Sequence, residues 1–284
     1  MTRWDAPPLP QLVNPDWVAQ HLGQPNILVA DCSYDADPEA ARALYQSGHI
    51  PGAVHIYWPR DLAVGTGAVP NLLPPPAQAA EKLGRLGIGD DTMVIAYDQE
   101  GGHFSARLWF VLAYIGHAEQ MYLLNGGTRR WLAEDRPVSS EPVRLMPRLL
   151  HPGEALEQLR VTKDELLNRL GESGVVIADV RRPTEHFGFE VRAARGGRVP
   201  GSINVLWREN LGEDWMFKSP EEIRARHEAV GITPDQEIIT YCQAGVRAAH
   251  AAIALRMAGY PNVRIYDGSW ADWGNDPEAP IERG

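Results

Sequence analysis

The chain has 284 residues, 44% of them apolar, and its acidic side chains outnumber the basic ones by ten (37 against 27). That length predicts two cores rather than one, and the acidic balance argues against a nucleic-acid surface or a polybasic membrane patch. Two cysteines, Cys32 and Cys242, are too few for a disulfide framework or a Cys-based zinc site, so a thiol that matters here acts singly.

The opening stretch MTRWDAPPLPQLV has no apolar run of signal-peptide length, and no later run approaches the length that crosses a bilayer; cytoplasmic residence is the expectation. In chain order, ILVA (27–30), MVIAY (93–97) and MYLL (121–124) read as short buried strands, with the helix-like RLWFVLAYIGH (107–117) between the last two. A stretch rich in Pro and charge follows, DRPVSSEPVRLMPRLLHPGEALEQLR (135–160), whose LEQLR end predicts a turn of helix. The pattern then resumes with VVIA (175–178), EIITY (237–241) and VRIY (263–266) as strands. VRAAHAAIALRMAGY (246–260) is a helix with Val246, Ala249, Ile253 and Met257 on one face and Gly259 as its stop. Strands alternating with helices predict α/β architecture, a parallel sheet covered on both faces.

The two halves match each other in order. ILVADCSYD (27–35) faces VVIADVRRP (175–183), GHIPGAVHIYWPRDL (48–62) faces GRVPGSINVLWRENL (197–211), GIGDDTMVIAYD (87–98) faces GITPDQEIITYC (231–242), and YLLNGGTRRW (122–131) faces RIYDGSWADW (264–273). The offset shrinks only from 148 residues at the first match to 142 at the last. Two copies of one unit of roughly 120 residues are predicted, a size typical of a domain. The expected division is 1–140, a linker at 141–160, and 161–284.

Cys242 ends the apolar run EIITY and begins a loop of small residues before the last long helix. Ligands of parallel sheets collect at such strand ends, where the helix leaves its first amides unpaired. Gln243, Ala244, Gly245, Val246 and Arg247 can therefore curl into an anion cradle, and the helix dipole and Arg247 favour thiolate over thiol. The competing reading is an inert buried cysteine. Against it stands the first copy, which puts Asp98 at the matching place; a position that is aspartate in one copy and cysteine in the other is not a greasy core site.

Other positions read as structure. Asp31 and Asp179 end matching strands, and Asp179 with Arg181 predicts a loop-fixing ion pair. Arg107 is placed opposite Arg247 in the first copy. Trp58 and Trp207 match and predict interdomain or core packing, while Cys32 packs near a strand end, with a redox role only if it approaches Cys242. Cysteine phosphatases and arsenate reductases use a related cradle with five residues between cysteine and arginine; here there are four.

The duplicated unit, with GHIPGA and RVPGSINV, the single CQAGVRA loop and the closing YDGSWADWG, resembles the two-domain rhodanese family of sulfurtransferases over essentially the whole chain. The resemblance implies two tandem rhodanese-like domains, the first catalytically inactive and marked by Asp98. In the second, Cys242 carries a persulfide. It implies sulfur transfer from a small anionic donor, thiosulfate or 3-mercaptopyruvate, to cyanide or a thiol acceptor such as a thioredoxin-like protein, with no metal and no organic cofactor. A sulfur-carrier module without rapid turnover is a second expectation. Gln243, Ala244 and Glu185 depart from the loop patterns that separate the two donors, Glu185 standing where two-domain members carry an anion-binding arginine. Thiosulfate is chosen because Arg247 keeps a positive charge beside the thiol.

Overall fold

The computed structural model describes residues 6–66 and 69–284. Strands β1 (Gln11–Val13), β2 (Ile27–Asp31), β3 (Val54–His55), β4 (Val64–Thr66), β5 (Val69–Leu72), β6 (Met93–Tyr97) and β7 (Met121–Leu124) belong to the first half. Strands β8 (Arg160–Val161), β9 (Val175–Asp179), β10 (Ile203–Asn204), β11 (Glu237–Tyr241) and β12 (Val263–Tyr266) belong to the second. Each half is a five-stranded parallel sheet, in the order β1-β7-β6-β2-β3 and, read from the equivalent edge, β8-β12-β11-β9-β10; β4 and β5 form a separate antiparallel pair. The duplication read in the sequence is therefore a duplication of topology. The six apolar runs are all strands, and what the pattern missed are the edge strands β1, β3, β8 and β10, of two or three residues and too short to show a period, and the β4–β5 pair.

One polar hub repeats in both copies. The Tyr97 hydroxyl donates to Asp31 (2.7 Å) and accepts from the Ile50 amide (3.0 Å); the Tyr241 hydroxyl donates to Asp179 (2.8 Å) and accepts from the Val199 amide (3.2 Å). Each strand-end aspartate is thus tied to the neighbouring strand and to the turn at HIPG or RVPG. In the second copy Asp179 also receives Arg181 (2.6 Å) and His186 (2.9 Å). Burial opposes the charge on Asp179, but these donors together hold its carboxyl below the usual range.

The sheets are joined through the helices that follow β6 and β11, His103–Tyr114 and Val246–Met257, which pack against each other. This explains a departure from the single apolar face expected of the second helix: from Val246 to Leu255 every residue except Arg247 is buried, Ala248, Ala251 and Ala252 included. One side meets its own sheet and the other meets the partner helix. Small side chains let the two backbones come close, and the helix reads as apolar nearly all round.

Across this interface Arg107 donates to Asp267 (2.8 Å), with both side chains essentially inaccessible. A second nitrogen of Arg107 reaches the Asn71 carbonyl (2.9 Å), and Asp267 accepts the Leu73 amide (2.6 Å). The pseudo-equivalent contact runs the other way: the Phe217 amide donates to Asn125 (3.0 Å). Each copy therefore lays a segment over the last-strand loop of the other, and each segment turns at a non-glycine residue in left-handed conformation, Asn71 (φ 67°) or Trp215 (φ 63°). Trp215 is held between the guanidinium groups of Arg208 (4.1 Å) and Arg129 (4.6 Å).

Replacing Arg107 by Met should leave Asp267 buried without its counter-charge and cost about 3–5 kcal/mol; urea unfolding of the whole chain measures it. Burial pushes two interface imidazoles, His103 and His250, down to about 3. The unfolded chain, with histidines near 6.5, binds more protons than the folded one in this range. The stability they confer is complete above about pH 6.5 and is lost progressively as the pH falls towards 3. His250→Leu should reduce the slope of stability against pH between about 6 and 4 by about one proton, a change read from denaturation midpoints; an unchanged slope would show that His250 does not gate acid unfolding.

Candidate active site

Cys242 follows the last residue of β11, and the chain turns at Gly245 (φ 73°), the N-cap of the helix Val246–Met257. That glycine is required twice over. Its backbone is left-handed, and a Cβ there would lie 2.7 Å from the Arg107 guanidinium and 3.0 Å from the Asp267 carbonyl. The loop that carries the thiol thus rests on the interdomain ion pair.

Ser269 ties the loop from below. Its hydroxyl accepts the amides of Cys242 (3.1 Å) and Gly245 (3.2 Å) and donates to the Tyr266 carbonyl (2.8 Å), while its own backbone is left-handed (φ 51°). The Gly245 amide, expected to face a bound anion, is instead spent on Ser269. As first-turn residues Val246 and Arg247 have no intrahelical acceptor, and with Gln243 and Ala244 their amides lack an acceptor among the described residues. These four remain free to meet a ligand.

The first copy displays what such a loop binds. There the carboxylate of Asp98, fully buried, accepts the amides of Glu100 (2.8 Å), Gly102 (2.9 Å) and Ser105 (2.9 Å) and the Ser105 hydroxyl (3.0 Å). Its cradle is already filled by an anion of its own. Gly102, left-handed at φ 94°, caps the helix His103–Tyr114 as Gly245 caps its counterpart. This anchors the alignment of the two helices and corrects the placement of Arg107: Phe104 stands opposite Arg247, and Arg107 stands opposite His250.

Arg247 does not point a free charge at the thiol. Both of its terminal nitrogens are held by Glu185 (2.7 and 2.9 Å), a carboxylate only 1% exposed. Burial works against both charges, yet each partner shifts the other towards ionisation: the Glu185 carboxyl is lowered and the Arg247 guanidinium raised. Glu185 thus braces the loop through Arg247, and the charge cited in favour of thiosulfate is compensated. Arg181 and Asp179 form their pair one layer behind, beside Tyr241.

In front of Cys242 opens a cavity of about 420 Å³ built by both copies. Tyr34, Trp58, Glu100, His103 and Phe104 come from the first; Arg182, Arg192 and Trp207 join the Cys242 loop from the second. Trp58 and Trp207 are therefore pocket walls as well as packing residues, and His103 lies between Phe104 (3.7 Å) and Trp207 (4.4 Å). Arg182 and Arg192 reach the cavity with largely exposed side chains. Burial, and then Asp98, push the Glu100 carboxyl upward. Cys32 is remote in kind: burial, Asp98 and Asp31 raise its thiol well above the ordinary value, which keeps it protonated.

Ser269 was absent from the sequence reading although the signal was present. It faces Gly127 in the match of RIYDGS with YLLNGG, a difference between the copies of the same sort as Cys242 against Asp98. Gly127 has no room for a side chain, since a Cβ would lie 2.2 Å from the Asp98 carbonyl.

The family model for the rhodanese-like domain matches residues 14–134 and 162–276. The chain belongs to the rhodanese-like family. A thiosulfate sulfurtransferase of Azotobacter vinelandii is 37% identical over 281 residues, covering 96% of this chain and 97% of the relative. A probable 3-mercaptopyruvate sulfurtransferase of Pseudomonas aeruginosa is 34% identical, covering 96% and 98%. Among solved structures, a variant of EanB in complex with ergothioneine, covalently linked with a persulfide, superposes with a TM-score of 0.83 at 26% identity, covering 96% of this chain and 70% of that one. Among the described residues of this rhodanese-like protein no helix is long and apolar enough to cross a membrane.

Ser269→Ala would strand two buried amides at a cost of about 1–3 kcal/mol and let the loop shift. Alkylation of Cys242 by iodoacetamide at neutral pH should slow by about tenfold or more, as expected when a reacting atom is misplaced; an unchanged rate would reduce Ser269 to a space-filling role.

Proposed function

We propose that the protein is a sulfurtransferase that moves sulfane sulfur from thiosulfate to cyanide or a thiol through a Cys242 persulfide. One observation carries the assignment. Cys242 lines the shared cavity at the start of a loop whose Gln243, Ala244, Val246 and Arg247 amides lack an acceptor among the described residues, whereas the strand-end residue of the other copy, Asp98, fills its own loop with a carboxylate that takes the amides of Glu100, Gly102 and Ser105. Such a turn stabilises negative charge on the atom at its centre, which is what a nucleophilic thiolate and then a persulfide require.

The thiolate attacks the outer sulfur of thiosulfate; the new S–S bond forms as the S–S bond of the donor breaks, and sulfite leaves with the electron pair. Arg182 and Arg192 meet the anionic end of the donor at the cavity wall, and the amides of Gln243, Ala244, Val246 and Arg247 hold the terminal sulfur. Gly245 serves by its backbone conformation and Arg247, through Glu185, by bracing the loop, with Asp179 and Arg181 as support behind. A nucleophile then takes the outer sulfur and frees Cys242 as thiolate. The chemistry needs no metal or organic cofactor. Residues 1–140 form the inactive copy, 141–160 the linker and 161–284 the catalytic copy, acting in the cytoplasm. The acceptor is cyanide or a thiol, a thioredoxin-like protein being one that fits.

A phosphatase or arsenate reductase fits less well. Its arginine must be free to grip an oxyanion, whereas both terminal nitrogens of Arg247 are held by Glu185. The donor 3-mercaptopyruvate is the second reading, because its carboxylate also suits Arg182 and Arg192.

Incubation with thiosulfate should add one sulfur atom to the intact mass, and Cys242→Ser should add none; a sulfur that persists in the variant overturns the assignment. Turnover with cyanide, compared between thiosulfate and 3-mercaptopyruvate, ranks the donors. A persulfide that forms but does not turn over would favour a sulfur carrier instead.

A further inference from the structure

Beside the cavity the segment Phe187–Val191 exposes three large apolar side chains in a row: Phe187 is 39%, Phe189 81% and Val191 56% exposed. The first copy has no such ridge, since the corresponding stretch there is the helix Pro38–Ser47. The ridge is confined to the copy that carries the cysteine.

The segment is also well fixed. The Glu190 amide donates to the Thr184 carbonyl (2.8 Å), its carboxylate accepts from Thr184 (3.1 Å) and Arg182 (3.2 Å), and the Gly188 amide donates to Glu185 (3.2 Å). Phe187 packs edge-on to His186 (5.1 Å) and beneath the Arg198 guanidinium (5.8 Å). Aromatic side chains held outward on a fixed loop are costly to leave in water, and such patches mark contact surfaces. Neither thiosulfate nor cyanide has any use for one.

Charge and continuity indicate the occupant. From Arg182 to Arg198 the chain carries four arginines (Arg182, Arg192, Arg195, Arg198) against two glutamates (Glu185, Glu190), a local excess of two positive charges in a protein of net charge −10. Arg182 and Arg192 flank the ridge and line the cavity at once, and the Gln243 side chain, next to Cys242, donates to the Arg192 carbonyl (3.0 Å). The ridge is thus continuous with the mouth over the nucleophile. Cys242 itself is only 1% exposed, so an acceptor thiol must be carried in on something that protrudes.

We infer that Phe187, Phe189 and Val191, with the arginines that flank them, are the docking surface for a protein acceptor: an acidic protein presenting its cysteine on a protruding tip or tail with apolar neighbours. The inference rests on the sulfurtransferase reading. The docked thiolate attacks the outer sulfur of the Cys242 persulfide; the acceptor S–S bond forms, the Cys242 S–S bond breaks, and Cys242 departs as thiolate.

Two synthetic acceptors test this: a cysteine peptide flanked by Leu, Phe and Glu, and one of equal length flanked by Ser, Gly and Lys, with cyanide as the small-molecule control and thiosulfate as donor. The wild-type protein should favour the acidic, apolar peptide by about tenfold in kcat/KM, the scale of a central interface residue. Phe189→Ser combined with Val191→Ser should abolish the preference while leaving cyanide turnover unchanged. Equal use of both peptides, or a preference that survives in the double variant, overturns the docking surface. Failure of the wild-type protein to transfer sulfur to cyanide overturns the sulfurtransferase reading beneath it.

Discussion

The ion pair between Arg107 and Asp267 is the contact on which the arrangement turns. It joins the two copies at a point inaccessible to water, and it lies directly behind Gly245, so the bend that positions the thiol has one copy's arginine and the other's aspartate as its backing. A buried pair of this kind adds little net stability compared with an apolar core, but once built it makes any displacement of either partner expensive. Domain packing and loop geometry are consequently one constraint. The cavity inherits it, because its aromatic wall comes from the first copy and its nucleophile from the second.

Much of this was legible beforehand. The six long strands and the internal duplication follow from short apolar runs and ordered matches, since buried parallel strands leave a continuous apolar signature. Comparing the copies also isolated Cys242 against Asp98. The role of Arg247 was less visible: a guanidinium five residues after the thiol looks like an anion ligand until its partner is seen, and Glu185 lies 62 positions away. Arg107 lies three positions beyond Phe104, the residue that stands opposite Arg247. The first loop holds one more residue than the second before its capping glycine, and only the left-handed turns at Gly102 and Gly245 fix the register. The pocket walls from the first copy were illegible for a simpler reason, as no pattern within one chain announces which faces of two domains will meet.

The two loops amount to one design in two states of occupancy. Asp98 supplies the negative charge that its turn of amides would otherwise seek from solution, and Ser105 and Gly102 close around it. In the second copy no carboxylate takes that place: the strand ends in the Cys242 thiol, and Ser269 accepts the amides of Cys242 and Gly245. Glu185 compensates the charge of Arg247 by holding both of its terminal nitrogens. In the proposed reaction the site stabilises negative charge mostly through oriented backbone dipoles, which need no side-chain rearrangement as sulfur arrives and leaves.

The shared cavity also bears on whether the two halves could exist apart. Trp58, His103 and Phe104 form the far wall of the other copy's pocket, so removing the first domain would open that pocket to solvent. The carboxylate that fills the first domain's cradle leaves that loop satisfied without any ligand. The two halves are therefore not interchangeable: one supplies the cysteine loop, the other the wall that faces it, and the pocket exists only while both are in place.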